Sequence, residues 1–383
     1  MVGYRCVSVA STSRKIFWVA LLLVVVLAAA ADVTAQASTA IARERSGEEL
    51  FQSGCAACHG VNGRGGVREQ IGFDDPLPDF TACDFATPEP DSDWLAIVHQ
   101  GGPVRAFSRR MPAFRDLLSD AEIERVVDYL RSFCRDQAWP RGDLNLPRPL
   151  VTEKAFPENE ALLTTSAQGG DTPAFGSSFI YEHRLGARSQ YELQVPIDAQ
   201  KSDATWTGGL GDITLAFKHV LHANLAGGRI LSAGAELLLP TGSESRSLGK
   251  GTTIVEPFLA FGQLLPAEAF IEAHTGIELP ADTDKSSREV SFSAAVGKSY
   301  TQDSWGRSWS PMIEFVAARE MTDGEPLLWD VVPQLQVTLS RRQHIMISGG
   351  VRTPINRRSG RETQFVGYFL WDWFDGGLFE GWK

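Results

Sequence analysis

The chain has 383 residues, with 47 acidic against 36 basic side chains and a formal net charge of −11. It therefore lacks the basic face that a phosphate backbone demands, which excludes nucleic acid as a partner. A hydrophobic share of 43% and a charged share of 22% are ordinary for folded protein, a mean hydropathy of −0.12 excludes a bundle of transmembrane helices, and the length predicts two domains.

Residues 1–37 read as a secretory signal peptide. Arg5, Arg14 and Lys15 form a basic start, Ile16 to Ala30 is an apolar run, and Ala35-Gln36-Ala37 is a small-x-small cleavage site ahead of Ser38. The apolar run is shorter than the ~20 residues of a spanning helix. No cysteine lies near the cleavage point, so a lipoprotein anchor is not indicated. Cys6 leaves with the signal, and export puts Cys55, Cys58, Cys83 and Cys134 in an oxidising compartment.

The next segment, "FQSGCAACHGVNGRGG", holds a C-x-x-C-H run at Cys55, Cys58 and His59, the attachment pattern of c-type haem. Thiols three positions apart on a helical turn can form thioethers to the two vinyl groups of one porphyrin, and the adjacent imidazole can reach its iron. A thioredoxin-like dithiol or half a zinc site does not explain the following histidine, and no second C-x-x-C is present. Around this run the pattern predicts short helices: "SGEELF" with a capping box at Ser46 and Glu49, "SDWLAIV" ending at Gly101-Gly102, and "LSDAEIERVVDYLRSFC" with a second box at Ser119 and Glu122. In the last of these Ile123, Val126, Val127, Leu130 and Phe133 form an apolar stripe, which is core. Met111 in "RRMPAF" is the one methionine between the cleavage site and residue 312. It is the leading candidate for the iron's sixth ligand, with His99 or an open position as alternatives.

In the order "FQSGCAACHG", "GGP", "MPAF" and "LSDAEIERVVDYLRSF", residues 46–136 resemble a class I (mono-haem) cytochrome c domain. The resemblance implies one covalently attached haem c bound by Cys55 and Cys58, with His59 and Met111 as axial ligands of the iron. It also implies a one-electron carrier, not an enzyme, because both axial positions are filled; methionine ligation raises the potential. Cys83 and Cys134 are outside that family's common pattern and form either a disulfide or two buried free thiols.

Residues 137–159 carry Pro140, Pro147, Pro149 and Pro157 with no sustained period and read as a stiff, extended linker. Beyond them the period becomes two. In "GDITLAFKHVL" Ile213, Leu215, Phe217 and Leu221 share one face, opposite Asp212, Thr214 and Lys218. Twelve such segments, roughly 161–168, 176–185, 188–197, 211–222, 228–240, 252–263, 268–279, 288–299, 309–320, 328–340, 343–354 and 363–374, predict an all-β, about 12-stranded antiparallel transmembrane barrel over 160–383. Short connections ("LGAR", "ANLAG", "LPA") alternate with long polar ones, which places the start of the first strand in the periplasm. Glu268, Glu272, His274, Glu278 and Lys218 are then expected to line the lumen. The chain continues past its last aromatic strand through "DGGLFEGWK" instead of ending on it.

Through "LVTEKAFPENEALLTT" and "GLGDITLAFKHVL" the second half is similar to the outer-membrane family associated with phenol-degradation pathways. The order of haem then barrel resembles the cytochrome–porin fusions of iron-oxidising bacteria, as an analogy. The whole chain thus reads as multidomain: a small all-α cytochrome c domain followed by the barrel. Three functions are in contention. The first is electron transfer with periplasmic redox proteins by a haem protein tethered at the outer-membrane lipid. The second is transport of a small or hydrophobic solute with the haem as accessory. The third is electron conduction across the membrane, with oxidation of an extracellular donor; a globular haem domain of this size is too bulky to enter a lumen of twelve strands.

Overall fold

The computed structural model describes residues 44–72, 77–170, 173–202 and 205–373. The expected signal peptide, 1–37, and the tail after Trp373 lie outside them. From Ser46 onward the described chain forms one compact unit.

Three helices frame the N-terminal part: α1 (Gly47–Gly54), α2 (Asp91–Gln100) and α3 (Asp120–Arg131). Both expected capping boxes form: the Glu49 carboxylate accepts the Ser46 N–H at 2.8 Å, and that of Glu122 accepts the Ser119 N–H at 3.0 Å. The apolar stripe of α3 is buried with Leu50, Phe51, Phe80, Trp94 and Val98 in a single core. Among the described residues no helix is long and apolar enough to cross a membrane.

Twelve long strands follow, each within a few residues of its expected position. They are β1 (Glu160–Gln168), β2 (Ala174–Leu185), β3 (Ser189–Ser202), β4 (Ile213–Asn224), β5 (Arg229–Leu239) and β6 (Ile254–Leu264). The second half comprises β7 (Ala269–Pro280), β8 (Glu289–Lys298), β9 (Ser308–Glu320), β10 (Leu328–Thr338), β11 (Ile345–Pro354) and β12 (Gln364–Asp372). Each pairs antiparallel with the next, and β1 pairs with β12, with Leu162 opposite Leu370, so the sheet closes. Short pieces at Thr205–Leu210 and Tyr300–Thr301 extend hairpins beyond the barrel.

The two faces have the polarity expected in lipid, opposite to that of a soluble barrel. Phe179, Leu215, Phe217, Leu259, Phe292, Val296, Ile313 and Phe315 are exposed on the outside, whereas Glu182, Lys218, Ser232, Glu272, Glu314 and Gln334 are buried inside. An outer apolar band around a polar lumen belongs in a bilayer, where closure leaves no strand edge unpaired. Of the expected lumen residues, Lys218, Glu272, His274 and Glu278 fall on the inner face. Glu268 does not: the chain reverses there, with φ of 59°, and its side chain is exposed in the turn before β7.

The proline-rich segment is not a free linker in solvent, because residues 144–158 loop into the lumen from the end that carries the short turns. Leu144, Ala155 and Phe156 pack on Val220, Ile230, Phe258 and Ala260, while Leu146 packs on Phe270 and Met312. Leu150 joins Leu162, Ile180, Tyr368 and Leu370. A β-carbon at Gly350 would lie 2.8 Å from Leu150 Cδ1, so glycine makes room for the plug there. Its polar groups meet the inner face. Arg148 donates to Glu160 at 2.6 Å and pairs with Glu182 at 2.7 Å. Lys218 donates to Glu153 at 2.7 Å and to the Lys154 carbonyl at 2.6 Å, and Glu314 accepts the Val151 N–H at 3.1 Å. The prolines suit this location, since each removes one backbone donor that the lumen would have to satisfy.

Replacing Arg148 by Ala leaves Glu160 and Glu182 buried without their cation. The expected cost is about 3–5 kcal/mol, seen as a lower temperature at which the compact gel band converts to the unfolded one.

Candidate functional site

The C-x-x-C-H residues occupy consecutive helical turns. α1 runs through Cys55 into a one-turn helix at Ala56–His59, with the N–H groups of Cys58 and His59 both bonded to the Cys55 carbonyl, at 3.1 and 3.0 Å. Gly60 then turns the chain away with φ of 74°, where a β-carbon would lie 2.8 Å from the Gly65 carbonyl oxygen. Both cysteines are free thiols and half-buried. Burial, with the nearby Cys58, pushes the Cys55 thiol up to about 11. Burial also holds His59 below the usual imidazole value, so its ring is neutral and keeps a lone pair. Its Nδ1 is buried without a hydrogen-bond partner, and the Phe80 ring lies 5.1 Å away.

Met111 sits in a tight loop that follows α2. The Gly102 N–H donates to the Met111 carbonyl at 3.0 Å, and the Met111 N–H to the Ser108 carbonyl at 3.2 Å. A β-carbon at Gly102 would approach the Ser108 carbonyl to 2.4 Å, so the close turn needs glycine. The Met111 side chain packs on the same core as Cys55. His99, the alternative ligand, is engaged elsewhere: its ring stacks on Trp305 at 4.7 Å, and its nitrogens face Gln100 at 2.9 Å and Asp120 at 3.3 Å. Two free thiols, a neutral imidazole and a thioether on one apolar core fit a c-type haem, and Cys55, Cys58, His59 and Met111 are the residues that would hold it. Among the described residues no cluster of histidine, cysteine and carboxylate side chains could hold a bare metal ion.

Cys83 and Cys134 form a disulfide, with Cα atoms 5.1 Å apart across a separation of 51 residues. It ties a one-turn helix at Cys83–Ala86 to the chain just beyond α3. Close by, Arg131 donates to Asp91 at 2.8 Å and to the Glu89 carbonyl at 2.8 Å, and its guanidinium lies 4.0 Å from the Trp94 ring centre.

The helical part is docked on the short-turn end of the barrel. Arg105, buried, donates to Asp93 at 2.7 Å and to the Trp305 carbonyl at 2.6 Å. Gln343 also donates to Asp93, at 3.0 Å. His344 lies between Glu89 at 2.8 Å and Asp372 at 3.0 Å, and the Arg342 guanidinium covers Phe107 at 4.2 Å. Sequence reasoning did not single out Arg105, Trp305, Gln343 or His344, since no local pattern marks a contact made across some 200 residues of chain.

Residues 42–130 match the family model described as cytochrome C oxidase, cbb3-type, subunit III. This part of the chain is a cytochrome c domain, whose cofactor is haem. The barrel is similar to solved outer-membrane proteins in fold. An outer membrane channel from Pseudomonas putida F1 is 16% identical with a TM-score of 0.44, covering 59% of this chain and 100% of its own. The KdgM porin is 8% identical with a TM-score of 0.38, and the NanC porin 7% identical with 0.41; each covers 56% of this chain and 99% of its own. No curated protein matches the chain.

Replacing Cys83 by Ser is expected to destabilise the helical domain by about 4 kcal/mol, the chain-entropy contribution of a loop of this length. A lower denaturant midpoint for loss of α-helical circular dichroism would show it.

Proposed function

We propose that the protein is a one-electron carrier, exported to the periplasm and held at the inner face of the outer membrane by its barrel. Cys55 and Cys58 are the thiols that would attach one haem, and His59 and Met111 are the side chains that would hold its iron. Bound there, the haem supplies one-electron chemistry at a potential raised by the methionine sulfur. The residues have distinct tasks. Burial keeps His59 neutral, so that a nitrogen lone pair is available. The loop at Gly102–Met111 fixes the thioether, and the surrounding core, which includes Phe80 and Trp94, excludes water. A haem held by both the imidazole and the thioether would leave no position for a substrate, which favours other periplasmic proteins as the redox partners.

The observation that carries this reading is the way the two parts are joined. The domain bearing the C-x-x-C-H run is bonded to the barrel rim through Asp93, Arg105, Gln343 and His344, and the connecting segment packs inside the lumen against the barrel's inner face. A barrel stopped by its own chain serves as an anchor, and this disfavours both the solute pore and a haem edge inserted into the lumen. The short-turn end faces the periplasm in barrels of this kind, and the leader read over residues 1–37 supplies the route to it.

Two measurements test the proposal. Cys55→Ser should abolish haem staining on a denaturing gel, and Met111→Ala should keep the stain but remove the methionine–iron charge-transfer band and lower the potential; an unchanged spectrum and potential would rule Met111 out as ligand. In planar bilayers the wild-type protein should give no steady conductance, and haem-independent solute flux would instead favour transport.

A further inference from the structure

A cleft of about 560 Å³ separates the loop that leads to Met111 from the barrel rim, with Phe107 and Arg109 on one wall and Arg307, Leu339 and Arg341 on the other. Arg109, Arg307 and Arg341 are all exposed. Among the described residues none of the three has a carboxylate within ion-pair distance. On a chain with a net charge of −11, three unpaired guanidiniums around one cleft form a concentrated positive site.

The sheet register sets the depth of this cleft in the bilayer. Trp309, near the start of β9, is exposed on the lipid side and stacks on Tyr300 at 4.7 Å, with the Lys298 ammonium 5.2 Å from the tyrosine ring centre. Such aromatic pairs mark the membrane interface. Trp309 is opposite Val337 of β10. Arg307 therefore lies two residues past the girdle on the outward face, and Leu339 and Arg341 continue the outward face of β10, with Ser340 and Arg342 buried between and beyond them. That is the level of lipid phosphates. Phe107 and Leu339 add an apolar wall suited to the glycerol and upper acyl region.

We infer that this cleft binds the phosphate of an anionic phospholipid headgroup, which bridges the cytochrome c domain and the barrel rim. Arginine suits the role because its planar donors grip phosphate in pairs. The inference rests on the membrane reading of the barrel.

Full-length protein in detergent would be titrated with short-chain phosphatidylglycerol, short-chain phosphatidylcholine and inorganic phosphate, with bound lipid counted by native mass spectrometry. Wild type should retain phosphatidylglycerol. The triple variant Arg109→Gln, Arg307→Gln, Arg341→Gln should bind it roughly 100-fold more weakly, at about 1 kcal/mol per basic residue, with unchanged haem absorption and heat-shifted gel mobility. Equal retention of phosphatidylcholine, undiminished binding by the variant, or displacement of the lipid by equimolar inorganic phosphate would overturn the lipid site while leaving the barrel reading intact. A wild-type chain that never shifts on heating would overturn the barrel reading, and this site with it.

Discussion

The ion pairs of Arg148 with Glu160 and Glu182 are what the rest of the architecture depends on. A closed barrel in lipid turns its apolar side chains outward, and its inner face must then satisfy whatever polar groups remain. Here Glu160 and Glu182 of the inner face take their cation from a segment that precedes the first strand. Arg148 enters with the plug to meet Glu160 and Glu182, Lys154 pairs with Glu158 inside the plug, and Lys218 of the wall takes the plug's own Glu153. Each half of the network is costly when buried alone. Barrel and plug are thus one folding unit in energetic terms, although the sequence changes character sharply between them.

The same interdependence positions the helical domain. Its contacts with the rim are directional: Asp93 accepts from both Arg105 and Gln343, and the Trp305 carbonyl accepts from Arg105. Burial raises the Asp93 carboxyl to about 6 against the pull of Arg105. A buried network of this kind fixes one orientation more effectively than an apolar patch, which permits sliding. The loop carrying Met111 and the stacked His99–Trp305 pair lie on this docked side, so the rim contacts and the candidate haem site are held by adjacent stretches of the same chain.

Much of this was legible in the sequence because it is encoded locally. The capping boxes at Ser46 and Ser119 need only four residues each. The twelve strands appear because period-two alternation persists over 10 or more residues in most of them, as in β4 with Leu215 and Phe217 facing out and Thr214 and Lys218 facing in. The C-x-x-C-H run is likewise self-contained. The plug was not legible: proline-rich extended chain has one appearance whether it crosses solvent or lies in a lumen, and Arg148's partners Glu160 and Glu182 lie on separate strands. The disulfide depended on a Cα separation that only the fold provides. Glu268 continues the polar side of the alternation in sequence, but the backbone turns there, one residue before β7 begins, so its side chain leaves the lumen.

The plug enters and leaves by the same mouth. Residue 144 and residue 158 both lie near the short-turn end, and the segment reaches its greatest depth around Val151, beside Glu314 at the middle of β9. A loop with both ends on one side is not threaded through the ring of strands. The barrel can therefore close before or after the loop is seated, with no topological obstacle in either order. The helical domain therefore never has to pass through the pore during assembly.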